Sequence, residues 1–237
     1  MTALGLLGAW LLLLAPASLW AQSAVAPEGD ATFVVRLRGT QVGTASASLK
    51  RLPDGWSIAG TTRLEPPLDV TVRRIDVAYS DNWRPRAVTL DLAAGAETVV
   101  VHGGGFGRTA PARIDVVRGG RQVTFVTAEI SADALILPNF AYAAYEALAM
   151  RLAGASPGLV LKAYVLPQRE IAIRLDAVTD EPLRAGGRTV ATRRWRLTFL
   201  DPSGETTAEV WVDTGRLARL DLPAAGLSVV RTDLSIP

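Results

Sequence analysis

The sequence predicts a mainly β protein: a strongly curved antiparallel sheet, an open half-barrel of about a dozen strands, wrapped around one central apolar α-helix. Three observations carry that expectation. Apolar residues recur with a period of two along most of the chain, turn residues interrupt the pattern at short intervals, and a single segment switches to helical spacing.

The chain opens on Thr2 to Trp20, almost wholly apolar with a leucine run from Leu11 to Leu14, followed by the small residues Ala21, Ser23 and Ala24. This is the pattern of an export signal. No Lys or Arg precedes the apolar run, whose length approaches the roughly 18 to 20 residues of an uncleaved membrane anchor. Pro16 breaks the run and Ala21-Gln22-Ser23 supplies a small-x-small cleavage site, so removal is the expectation. Residues 1–23 are read as a signal peptide and 24–237 as one exported, periplasmic domain with no transmembrane span after cleavage.

Strands then follow one another. Phe33, Val35 and Leu37 alternate with Val34, Arg36 and Arg38, and further runs extend over 43–51, 55–63, 69–79, 86–92 and 97–101. Gly39-Thr40, Pro53-Asp54-Gly55, Asp81-Asn82 and Gly95 mark the turns between them. Val70 and Val72 share one parity while Ile75, Val77 and Tyr79 share the other, which predicts a β-bulge at Arg73-Arg74. The alternation resumes over 112–117 and 122–127 around Arg118-Gly119-Gly120-Arg121. The helix is expected from Phe140 to Leu152, started at Pro138-Asn139 and stopped at Gly154. Its only charges are Glu146 and Arg151, so a helix this apolar around its circumference should be covered. Strands return over 159–165, 170–177, 189–199, 206–212, 217–222 and 227–233, with turns at Gly186-Gly187, Asp201 to Gly204 and Asp213-Thr214-Gly215.

Composition narrows the function classes. With no cysteine, the chain has no disulfide, no thiol nucleophile and no lipid-modified N-terminal cysteine, and must hold together by packing alone. The formal charge is only +2, and Lys50 and Lys162 are the sole lysines among the basic residues. The densest basic cluster, Arg193-Arg194-Trp195-Arg196, lies in a strand that sends its charges to both faces, so no nucleic-acid-tracking surface is expected.

Two motifs suggest a hydrolase and fail on mechanism. His102-Gly103-Gly104-Gly105-Phe106 is similar to an esterase oxyanion loop, and Gly154-Ala155-Ser156-Pro157-Gly158 matches a nucleophile elbow. That chemistry needs a histidine base after the serine, but His102 is the only histidine and precedes Ser156. Ser156 also follows a helix, whereas an elbow leads into one. Gly154 is read as the helix stop, Ser156-Pro157-Gly158 as a turn, and the glycines after His102 as a loop between strands. A transition-metal site would lack imidazole and thiolate ligands. Asp201, Ser203 and Glu205 read as turn residues in preference to a calcium site, and Asp180-Glu181 as a polar turn before Pro182. The expectation is therefore no enzyme, no cofactor and no metal.

Among the aromatics, Trp195 shares a strand face with Leu197 and Phe199 and reads first as core, while Trp211 points opposite to Val210 and Val212. Trp83, in the Asp81 to Pro85 turn, either covers a core edge or sits exposed.

The Arg38-Gly39-Thr40-Gln41-Val42-Gly43 turn, the Asp54-Gly55-Trp56 hairpin, the Leu137-Pro138-Asn139 helix start and the closing Val210-Trp211-Val212-Asp213 strand resemble bacterial periplasmic proteins of unknown function. Those are in turn similar to the lipoprotein carriers of the outer-membrane sorting pathway, in which a helix closes an open half-barrel. For function the resemblance implies an analogy only. If the helix fills the concavity partly, an apolar cavity remains for a lipid, an acyl chain or a lipidated protein, with Phe140, Tyr145, Leu148 and Trp195 as its expected lining. If it fills the concavity completely, the protein is a non-enzymatic envelope interaction or assembly module.

Overall fold

Alternation of buried and exposed side chains drives every long strand onto one curved sheet. The computed structural model describes residues 28–106, 112–128, 130–166, 169–185 and 187–234, so the expected signal segment lies outside the described residues.

An antiparallel meander comprises β1 (Gly29–Leu37), β2 (Thr40–Leu52), β3 (Gly55–Leu64), β4 (Val70–Ser80), β5 (Pro85–Ala94), β6 (Glu97–Gly104), β7 (Ala112–Arg118) and β8 (Arg121–Ala128). Arg38 and Gly39 both take positive φ, 51° and 85°, a two-residue turn whose twist suits the strands it joins. The C-terminal strands are β9 (Leu135–Ile136), β10 (Val160–Val165), β11 (Arg169–Asp180), β12 (Leu183–Ala185), β13 (Arg188–Val190), β14 (Arg193–Asp201), β15 (Gly204–Asp213), β16 (Arg216–Leu222) and β17 (Leu227–Arg231).

Fifteen strands form one sheet in the order β8-β7-β6-β5-β4-β3-β2-β1-β17-β16-β15-β14-β11-β10-β9, with β12 and β13 as a separate hairpin. The first and last strands thus pair in mid-sheet, Val35 opposite Val229, and the two meanders spread from that seam. Among the described residues all pairings are antiparallel except the short β9 against β10.

The expected bulge is present: Val72 pairs with Leu92 and Arg74 with Asp91, leaving Arg73 over. Through it the sheet changes phase, so that Val70 and Val72 before it and Ile75, Val77 and Tyr79 after it are all buried. Curvature gained this way carries β4 toward the far edge strand, where the Ile136 N–H donates to the Tyr79 hydroxyl at 3.1 Å. Among the described residues no backbone ladder closes that gap, and the sheet stays open.

Two sequence expectations need correction. The strand count exceeds about a dozen because β9 and β12 are two and three residues long, too short to show periodicity, and because the run expected over 189–199 divides into β13 and β14, which lie in different sheets. The helix is also shorter than Phe140 to Leu152. Phe140 takes φ 63°, outside any right-handed helix, then comes a 3-10 turn at Tyr142–Ala144, and α1 spans Tyr145–Ala153. Pro138-Asn139 therefore opens a turn and not the helix itself.

The segment from Ala134 to Leu152 crosses the concave face and is buried along most of its length. Alanines make the approach close. A Cβ on Gly60 of β3 would lie 2.2 Å from the Ser46 carbonyl and 2.4 Å from the Ala143 Cβ, so only glycine lets the 3-10 turn settle there. Leu148 and Leu152 have 0% exposure and fill the centre of the concavity.

Glu146 lies wholly buried on this helix, and Arg216 beside it is 4% exposed. The Arg216 guanidinium donates twice to the carboxylate, at 3.0 Å each, and the Leu217 N–H donates a third bond at 3.0 Å. A second apolar cluster, Leu183, Trp211, Ala218 and Leu234, covers part of the outer face under the β12-β13 hairpin.

Candidate functional site: a cavity at the end of the helix

Because α1 is only nine residues long, it plugs the middle of the concavity and leaves space beyond each end. Beyond its last turn lies a cavity of about 760 Å³. Its apolar wall comes from Met150 and Ala153 of α1, Trp195 of β14 and Val212 of β15, with Pro182 and Ala191 at the base of the β12-β13 hairpin. Register explains the convergence: Val178 pairs with Trp195, Asp180 with Arg193, and Arg193 with Val212, so these strands reach the same end of the sheet. Thr214 and Gly215, with φ 46° and 87°, turn β15 into β16 at the rim. A Cβ on Gly215 would meet the Met150 sulfur at 3.0 Å, which is how the thioether comes to lie against the turn.

Trp195 is the residue of most chemical interest there. Its ring is buried on the inward face of β14, and its indole N–H is buried with no acceptor among the described residues. One of the groups over the ring is the Arg193 guanidinium, its central carbon 5.3 Å from the ring centroid. Arg193 is itself 45% exposed and held by Asp180 at 3.8 Å.

Glu181 and Arg194 at the rim are bound to each other and to the strands behind them. Glu181 accepts from Arg194 at 2.8 Å and from the Trp211 indole at 3.2 Å, and Arg194 also donates to Glu209 at 2.5 Å. The Arg194 hydrogen bond holds the Glu181 carboxyl below its ordinary range, and Glu209 with Glu181 raises the Arg194 guanidinium further. Arg194 and Arg219 both sit over the Trp211 ring, at 5.2 and 4.7 Å from its centroid. Two guanidiniums packed on one indole and paired with carboxylates form a rigid outer brace behind the cavity.

A second cavity of about 440 Å³ lies at the start of α1, lined in part by Leu137, Tyr145, Phe199 and Asp201. The four residues expected to line a ligand site thus separate. Trp195 faces the first cavity and Tyr145 the second, Leu148 is sealed in the core between them, and Phe140 is half-buried against the core. Sequence reading missed Met150, Asp180, Arg193 and Val212 as neighbours of Trp195. The Asp180-Glu181 turn was visible, but nothing in the one-dimensional pattern ties it to the end of a helix some thirty residues earlier.

Elsewhere the structure assigns places to the other singled-out residues. Trp83 covers a core edge: its ring stacks on Trp56 at 5.4 Å and 12°, and meets Tyr79 at 5.6 Å. Asp201 is a turn residue, accepting from the Ser203 N–H at 2.8 Å. His102 lies in β6, its Nδ1 3.5 Å from the Thr89 hydroxyl, and Ser156 is exposed in the turn after α1. Gly103 and Gly104 belong to β6, not to a loop, pairing with Val88 and Ala87. A Cβ on Gly103 would lie 2.9 Å from the Phe106 ring, which folds back over the strand. No described helix is long and apolar enough to cross a membrane.

No family model matches the chain. No curated protein matches it either. Among solved structures it is similar to a DUF1089 family protein from Pseudomonas aeruginosa, at 14% identity and a TM-score of 0.43, over 93% of this chain and 98% of that one. It is also similar to a candidate exported protein with a YmcC-like fold from Bacteroides fragilis, at 7% identity and a TM-score of 0.34, over 89% of this chain and 97% of that one. Likenesses this distant leave the reading of the site to the residues of the chain itself.

Proposed function

We propose that the exported, mature protein is a non-enzymatic periplasmic binder of an apolar ligand, a lipid or acyl chain, held in the cavity beside Trp195. The observation that carries this reading is the apolar space of about 760 Å³ walled by Met150, Ala153, Trp195 and Val212, within the size range of small-molecule sites. The likeness to lipoprotein carriers supplies an analogy for the ligand class and nothing finer. Complete burial of Leu148 and Leu152 favours the second reading, an assembly module, for the middle of the concavity alone. The test is native mass spectrometry of mature protein purified from the periplasm without detergent, beside an Ala153→Trp variant that obstructs the cavity. Bound lipid in the wild type, lost in a folded Ala153→Trp protein, is the expected result. A wild type that carries none and takes none up from supplied acyl lipids overturns the binding reading and leaves the assembly module.

A further inference from the structure

The cavity beside Trp195 holds an unmet chemical demand. An indole N–H shut away from water without an acceptor is destabilising, and a buried donor of this kind ordinarily has a partner. Met150, Ala153 and Val212 wall the cavity beside it, and although Thr192, Thr214 and the carboxylates of Asp180, Glu181 and Asp213 also line the cavity, none of them takes the indole hydrogen bond. The adjacent β14 backbone is occupied by its ladders to β11 and β15. No acceptor for it lies among the described residues, so a molecule entering the cavity can supply one. Its charge is constrained as well. Arg193 at the rim is paired with Asp180, Arg194 is paired with Glu181 and Glu209, and Asp213 adds a carboxylate to the lining. An anionic headgroup would enter this rim against the carboxylates of Asp180, Glu181 and Asp213, with Arg194 already held by Glu181 and Glu209.

We propose that the ligand is an uncharged acylated molecule whose carbonyl oxygen accepts the hydrogen bond of the Trp195 indole, after the Arg193 side chain swings off the ring. This deepens the lipid-binding reading and rests on it. Arg193 suits the role of cover because it lies over the ring while remaining 45% exposed, free to move into solvent without disturbing the core.

Calorimetric titration of the mature protein with three matched probes below their micelle concentrations tests the proposal: 1-monolauroylglycerol, its ether analogue 1-O-dodecylglycerol, and laurate. The ester should bind about tenfold more tightly than the ether, the worth of one well-made hydrogen bond in an apolar site, and laurate should bind more weakly than the ester. Trp195→Phe should bring the ester-to-ether affinity ratio to about one, whatever the lost indole contacts do to the two affinities together. Should that variant fold poorly, the indole proton resonance of Trp195 in the unmutated protein gives the same answer, moving downfield with ester and not with ether. Equal binding of ester and ether, an ester preference that survives Trp195→Phe, or tightest binding by laurate would each overturn the carbonyl assignment while leaving lipid binding intact. Failure of all three probes to bind would instead remove the binding reading and this inference with it.

Discussion

At the scale of single residues, the buried pair of Glu146 and Arg216 shows how tertiary structure answers a charge that looks misplaced. Glu146 interrupts an otherwise apolar helix, and the sequence offers no companion within reach on the same stripe. Its partner stands 70 residues later at the start of β16. Glu146→Ala leaves a guanidinium buried without its carboxylate and frees the Leu217 N–H, so it should destabilise the protein by about 3–5 kcal/mol. Glu146→Met combined with Arg216→Met should recover part of that loss, because no charge is then buried alone although the Leu217 N–H still lacks its acceptor. Urea denaturation of the three proteins checks this, and equal losses in the single and double variants would contradict it.

At the scale of elements, the helix is core and not a lid. Leu148 is sealed at 0% exposure, and the 3-10 turn before it is pressed against β3 at Gly60. Leu148→Ala should therefore cost roughly 2–5 kcal/mol through lost transfer energy and the cavity left behind. The same substitution should change lipid content little in the fraction that remains folded, since the proposed site lies past the helix end at Met150 and Ala153. A movable lid would show the opposite pattern: little loss of stability and a large loss of ligand. The apolar circumference that predicted burial was legible from sequence. The helix boundary was not, because Phe140 adopts a left-handed backbone conformation that no propensity anticipates for a bulky side chain.

At the scale of the whole molecule, all four tyrosines are linked to folding. Desolvation raises the phenols of Tyr79, Tyr142, Tyr145 and Tyr164 above their ordinary value, Tyr145 to about 12. A group whose folded-state pKa is raised keeps its proton where the unfolded chain would release it. Its contribution is present in full below the unfolded value near 10 and is lost as pH rises through the folded value. Stability should thus be unaffected by these groups at neutral pH and fall steeply above pH about 10. Tyrosinate absorbance should appear together with the loss of β circular dichroism. Tyrosinate formed gradually near pH 10 in a protein that keeps its β signal would contradict the burial of these rings.

The sequence by itself determined the local period, the turns and the phase slip, since each depends on neighbours along the chain. From these follow the antiparallel meander, the bulge at Arg73-Arg74 and the buried helix. Only the tertiary structure decided which strand ends meet. The pairing of β1 with β17, the partner of Glu146, the stacking of Trp83 on Trp56 and the cavity that joins Met150 to Trp195 all bring together residues distant in sequence. Such contacts form because one curved sheet must bury one helix, and the register that satisfies this requirement is a property of the closed packing, to which no local pattern is sensitive.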